Sequence, residues 1–169
     1  AISLAGDSLG GFQSDYNDLF VTGAGVLASV DGRGFTSRAD WFYELGQDQH
    51  SQMVDPQFVD PNGADDLLGW SGGSDHGADD SFHVLGTSPT IDAGDAAAYF
   101  LEPGPNGGRI NQGADGNTAA AAPSAPQIVQ VLSPNGLEKV DAGTPVTIAW
   151  RSAGLTAEEA VLRLDVGGG

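Results

Sequence analysis

Cysteine is absent from these 169 residues, so neither a disulfide framework nor a thiolate metal site is possible, and redox chemistry says nothing about compartment. Basic side chains are almost as scarce, with 6 Lys and Arg against 23 Asp and Glu, a formal net charge of -17, and Lys139 as the single lysine. Binding a nucleic acid or an anionic membrane surface requires a basic stripe, and a polyanion would be repelled by this chain. No apolar run reaches the length of a membrane span, which excludes direct insertion by a helix. A leader is also missing: Ala1 to Phe12 has no basic n-region and is broken by Gly and Asp, as expected of a segment cut from a longer exported chain.

What is present is glycine, 26 residues of it, with 9 prolines and a hydrophobic share of 40%. That is too apolar for disorder and too glycine-rich for a helical bundle, and it points to many short strands joined by tight turns. Residues 1 to 117 hold 18 acidic and 3 basic side chains, whereas 118 to 169 hold 5 and 3. The uneven charge suggests two segments with different surfaces. Between them Thr118 to Pro126 reads TAAAAPSAP, an aperiodic, uncharged stretch expected to be a semi-extended linker.

Ahead of that linker the apolar runs are brief: Tyr16 to Val21, Gly25 to Val30, Gln57 to Val59, Phe82 to Leu85, Thr90 to Ala93 and Arg109 to Gln112. Such strands suit coils that bury side chains by stacking on the next coil, with Leu19, Val21, Phe58, Phe82, Val84, Ile91 and Ile110 expected to point inward. Asp31-Gly32 between apolar segments predicts a hairpin. Ser37 with Asp40 three positions on, and Gly46 beyond, predict a helix from about Arg38 to Leu45 with Trp41 on its buried face. Beyond the linker, runs at Ile128 to Leu132, Leu137 to Val140, Val146 to Trp150 and Val161 to Val166 alternate with turns, as in an antiparallel sheet.

The most distinctive loop lies between Asp60 and Asp80, where Gly63-Ala64-Asp65-Asp66 recurs as Gly77-Ala78-Asp79-Asp80. Asp60, Asp65, Asp66, Asp75, Asp79 and Asp80 supply the oxygen donors a hard cation such as calcium wants, although the spacing matches neither an EF-hand nor a strict nonapeptide repeat. The competing reading is a solvated acidic loop in which Asp and Gly serve turns. Trp70 in the same loop is the best-placed aromatic for stacking on a sugar ring. The three histidines are unclustered, so zinc spacing is absent; His76 is a candidate partner for a loop Asp, and Arg109 is expected to tie the last coil to a neighbouring acid or carbonyl. Ser8, Ser14 and Ser51 lack the setting of a hydrolase nucleophile, and catalytic residues are assigned nowhere.

The strings DPQFVDP at Asp55 to Pro61, FHVLGTSPTIDAGD at Phe82 to Asp95 and GGRINQGADGNT at Gly107 to Thr118 resemble the closing coils of right-handed parallel β-helix proteins of bacterial secreted and cell-surface type, the pectin lyase-like fold. SDYNDLFVTGAG at Ser14 to Gly25 and ADWFYELGQDQHS at Ala39 to Ser51 are similar to the same group. Ile128 to Leu155 resembles the first strands of immunoglobulin-like domains of the KNH-like family, departing from it at Leu137 to Val140. The resemblance implies a mainly β chain: terminal coils of a parallel β-helix over 1–117, a linker over 118–126 and a partial immunoglobulin-like β-sandwich over 127–169. It implies a secreted or cell-surface location and a non-enzymatic, adhesin-like scaffold that binds polysaccharide or a surface glycan and is ordered by calcium. The alternative is the C-terminal part of a polysaccharide lyase or glycoside hydrolase whose groove lies upstream of Ala1, because one architecture carries all of these roles.

Overall fold

A computed structural model describes residues 2–96, 101–156 and 161. The chain is mainly β, and the described residues form short strands and one α-helix. β1 (Ile2–Leu4) is followed by a 3-10 turn (Gly6–Leu9), and then by β2 (Ala28–Val30) and β3 (Arg33–Phe35). β1 runs parallel to β2, with Ser3 opposite Ser29, and β2 turns back antiparallel on β3. Asp31 and Gly32 take φ values of 47° and 80°, the left-handed pair that a two-residue hairpin matched to strand twist requires.

Helix α1 (Arg38–Leu45) forms where its caps lie in the sequence. The Ser37 side chain accepts from Asp40 N, and Gly46 closes the helix at φ 71° while its N–H donates to Phe42 O. The helix drops Trp41 onto Leu27, Ala28 and Phe35, and this cluster is the apolar core of the described residues. Phe35 meets Trp41 edge to face at 5.1 Å. Ile2, Leu4, Phe12, Leu19, Val21 and Leu45 pack around it, which places the expected inward positions Leu19 and Val21 correctly.

The other buried side chains are mostly polar. Asp48, Asp92, Ser51, Ser88, Thr90, Asn111, Gln112 and Ser124 are all buried. Polar side chains stay buried only when bonded, and here they form rungs between turns of the chain. Gln52 sits in a parallel bridge with Asp18, donates its N–H to Asn17 O, and accepts at its carbonyl from Leu19 N. Its side chain then reaches Gln112 Oε1 at 2.7 Å, sixty residues away. Ser29 Oγ donates to Ser3 Oγ at 3.2 Å across the parallel pair.

β4 (Phe58–Asp60) and β7 (Ser81–Val84) pair antiparallel and enclose the smaller hairpin of β5 (Trp70–Ser71) and β6 (Ser74–Asp75). Beyond residue 118, β8 (Ile128–Ser133) pairs antiparallel with β9 (Ala149–Ala153).

Several expected strands differ from this. Tyr16 to Val21 makes only the bridge at Asp18, while Thr90 to Ala93 and Arg109 to Gln112 are held by isolated backbone bonds such as Gln112 N to Thr90 O. Leu137 to Val140 forms no strand, and the strand expected at Val146 to Trp150 begins at Ala149. Phe82, expected to face inward, is 42% exposed, since it caps the outer side of Phe58 edge to face at 5.4 Å. The run from Val161 to Val166 lies outside the described residues except for Val161.

The stretch expected to be a linker is tied down. Ala121 is buried, Ser124 N donates to Pro105 O at 2.9 Å, and Asn111 Nδ2 donates to Ala122 O at 2.8 Å. Buried Asp92 is the hub: its Oδ1 accepts from Gly107 N and Ser124 Oγ, its backbone carbonyl accepts from Gln130 of β8, and its Oδ2 lies 3.5 Å from Arg151 of β9. Arg109 ties in as expected, donating to Gly94 O at 2.6 Å. Tyr43 on α1 also donates to Leu137 O at 2.9 Å, with the Lys139 ammonium over its ring at 3.7 Å.

Candidate functional site: the acidic hairpin and Trp70

The excursion between β4 and β7 is organised by its own carboxylates. The two copies of Gly-Ala-Asp-Asp lock onto each other: Asp79 of the second copy accepts from Ala64 N of the first at 2.8 Å. Gly63 leaves no room for a side chain there, because a Cβ at φ 60° would run into the Asp79 carboxyl. Asp80 Oδ2 accepts from Gly69 N at 2.9 Å, Asp75 Oδ1 accepts from Gly77 N at 3.0 Å, and Asp65 Oδ1 accepts from Leu67 N at 2.9 Å. Asp66 Oδ1 accepts from Asn62 Nδ2 at 3.4 Å, and Asp60 stands on β4 opposite Ser81. Five of the six expected metal ligands therefore hold turns or neighbouring side chains. Among the described residues no group of three or more His, Asp or Glu converges to hold a metal ion.

His76 meets a loop acid as the sequence suggests, its Nδ1 lying 2.6 Å from Asp65 Oδ2. The His76 ring and then the Leu67 N–H hold the Asp65 carboxyl below the ordinary range, against a small opposing effect of burial. The other two histidines also sit against carboxylates: His50 lies 2.7 Å from Asp15 and His83 2.6 Å from Asp115, each joining segments more than thirty residues apart. Sequence spacing gave no sign of these two pairs, since their partners meet only when separate turns come together.

The loop carries one large aromatic out into water. Gly72 and Gly73, at φ 59° and 87°, make a two-residue turn of the kind only glycine enters freely, and this turn folds Ser74–Asp75 back on Trp70–Ser71. Trp70 pairs with Asp75 in register and is 73% exposed. Leu67 and Leu68 are exposed just before it, so the tip presents a small apolar surface ringed by carboxylates. The sequence singled out Trp70 but not the two leucines. Their consecutive placement matches neither strand nor helix periodicity, and that was the available signal. Trp41, by contrast, is wholly buried and donates its indole N–H to Asp48.

Comparison with family models, curated proteins and solved structures found no match to this chain. Among the described residues no helix is long and apolar enough to cross a membrane.

Proposed function

We infer that this chain is a non-enzymatic scaffold of a secreted or cell-surface protein that binds neutral polysaccharide through Trp70. In this reading the first part is the closing turns of a right-handed parallel β-helix, and β8 with β9 opens an immunoglobulin-like unit fastened to it by Asp92. The parallel register of β1 with β2 and of Asp18 with Gln52 supports stacking of turns. The Ser3–Ser29 and Gln52–Gln112 rungs support a load-carrying stack over a catalytic cleft, since ladders of neutral polar side chains hold coils together without offering an acid or base. The antiparallel pairs β2–β3 and β4–β7 are surface excursions from such a stack.

The observation that carries the glycan reading is the exposure of Trp70. An indole face left in water on a glycine-set hairpin tip is a site whose desolvation is favourable once a partner arrives, and the C–H face of a pyranose is such a partner. The surrounding carboxylates and the net charge of -17 select against acidic polymers. Affinity electrophoresis through gels containing β-glucan, xylan or polygalacturonate tests this. A neutral polymer should retard the protein, polygalacturonate should not, and Trp70→Ala should remove the retardation while Trp150→Ala leaves it intact. Equal migration in all gels, or retardation that survives Trp70→Ala, overturns the reading.

A further inference from the structure

In the hairpin of β5 and β6, Trp70 stands directly across from Asp75. The next pair outward is a hydrogen-bonded one, His76 N donating to Gly69 O at 2.7 Å. Pairs alternate along an antiparallel ladder, so Trp70 and Asp75 form the non-hydrogen-bonded kind, with Cα atoms about 4.5 Å apart and side chains close together on one face. Both residues lie open to solvent, Trp70 being 73% exposed, and the hairpin therefore presents an accessible carboxylate beside an accessible indole. His76 follows Asp75 and points to the opposite face, where its Nδ1 meets Asp65 Oδ2.

One oxygen of Asp75 is committed, Oδ1 accepting from Gly77 N at 3.0 Å, while Oδ2 meets no donor among the described residues. Water satisfies an exposed carboxylate, so a sugar hydroxyl donated to Oδ2 replaces one hydrogen bond with another and gains little. An ammonium group gains more. The face of an indole attracts a cation through its quadrupole, and an adjacent carboxylate attracts it by charge. The rest of the loop adds to that attraction: among the described residues only Asp65 of its acids has a basic partner, the His76 ring, whereas Asp66, Asp79 and Asp80 are met by neutral N–H groups alone. A single free oxygen suits the point charge of an ammonium better than the two-pronged fork of a guanidinium.

We propose that the Trp70 site recognises aminated glycans, a pyranose stacking on the indole while its ammonium group donates to Asp75 Oδ2. This rests on the glycan reading above and adds a preference to it: a neutral ring makes the stacking contact, and an aminated ring makes the charge contact as well.

The probes are methyl β-glucosaminide, whose amine is protonated at about pH 6, and the neutral methyl β-glucoside and methyl N-acetyl-β-glucosaminide. Each is titrated to roughly 100 mM into the 15N-labelled chain at matched ionic strength, following the Trp70 indole N–H signal. Wild type should bind the aminated sugar about threefold to thirtyfold more tightly than either neutral one, the span of an exposed cation–π contact together with an exposed ion pair. The indole of Trp41, buried against Asp48, should not move. Asp75→Asn retains an oxygen for Gly77 N and should lose most of the preference; Asp66→Asn removes the same unit of charge from the loop and should keep it. Equal binding of the three sugars by wild type, or a preference lowered as much by Asp66→Asn as by Asp75→Asn, overturns the proposal and leaves the glycan reading standing. No movement of the Trp70 indole with any of the sugars overturns both. The comparison of the three probes needs only wild-type protein, so it decides the matter even where a variant does not fold.

Discussion

Replacing Asp48 by Asn tests how the polar interior holds the fold. Asp48 is completely buried, and its carboxylate accepts from four side chains: Ser14 Oγ at 3.1 Å, Asn17 Nδ2 at 2.8 Å and Ser51 Oγ at 2.7 Å on Oδ1, and Trp41 Nε1 at 2.8 Å on Oδ2. Its backbone is left-handed at φ 59°, a conformation that Asn adopts readily. Asp48→Asn therefore changes neither shape nor backbone preference. It turns one acceptor into a donor, so either the Trp41 indole or the three donors on Oδ1 confront an N–H. One buried donor left unsatisfied costs about 1–3 kcal/mol, and weakening the remaining charge-assisted bonds adds to it, so about 2–4 kcal/mol is expected in total. Against a stability of roughly 5–15 kcal/mol for a domain of this size, Asp48→Asn folds with a clearly lower urea midpoint. Asp48→Ala removes all four acceptor contacts and adds left-handed strain of about 1–2 kcal/mol, and is expected to fail to fold. In a double-mutant cycle with Trp41→Phe, the Trp41–Asp48 coupling should be about 1–3 kcal/mol. A loss below about 0.5 kcal/mol for Asp48→Asn, or a coupling indistinguishable from zero, would refute the reasoning.

The Asp92 hub makes the next prediction: Asp92→Ala strips Arg151 of its ion-pair partner and leaves Gly107 N and Ser124 Oγ without an acceptor, a loss of about 3–5 kcal/mol that should free the β8–β9 hairpin to proteolysis before the rest unfolds. Gly107→Ala should act in the same direction, by about 1–3 kcal/mol in urea unfolding, because its Cβ would occupy the space of the Asp92 carboxyl. Acid should also weaken the fold through Asp15. Burial alone would raise its pKa, but the His50 ring, the N–H groups of His50 and Tyr16 and the His50 charge together hold it below the ordinary 3.8. A depressed folded-state pKa means that this stabilisation is present above the unfolded value and is lost as pH falls through the folded one. The Tm should therefore drop below about pH 4, and Asp15→Asn should lessen that drop. Because Asp65, Asp75, Asp79 and Asp80 are occupied with backbone N–H groups, millimolar calcium should leave the Tm unchanged; a rise would reveal a cation on the loop.

The features legible in the sequence are those set by local chemistry. Ser37 and Gly46 fix the ends of α1, Asp31-Gly32 fixes the β2–β3 turn, and both follow from side-chain caps and left-handed backbone that need no tertiary partner. The exposure of Trp70 was legible for the same reason, as an aromatic stranded among glycines and acids. The interior was not. Periodicity finds apolar faces, while most of the buried side chains among the described residues are polar, and Asp48, Asp92, Asn111 and Gln112 bond to turns eleven to sixty residues away. The tied-down stretch from Thr118 to Pro126 escaped for a related reason. Its alanines look featureless, yet its backbone carbonyl at Ala122 and hydroxyl at Ser124 are what Asn111 and Asp92 hold. The two leucines beside Trp70 show the converse, apolar residues that packing leaves outside.

Stacking of successive turns in parallel is tested most directly at Gln52, by through-hydrogen-bond scalar couplings in the 13C,15N-labelled protein. Parallel pairing predicts that the Gln52 amide couples to the carbonyl of Asn17 and that the Gln52 carbonyl couples to the amide of Leu19, two different residues of the neighbouring turn. If Gln52 instead exchanged both bonds with one and the same residue, the turns would be antiparallel, and the stacked-coil account would be wrong.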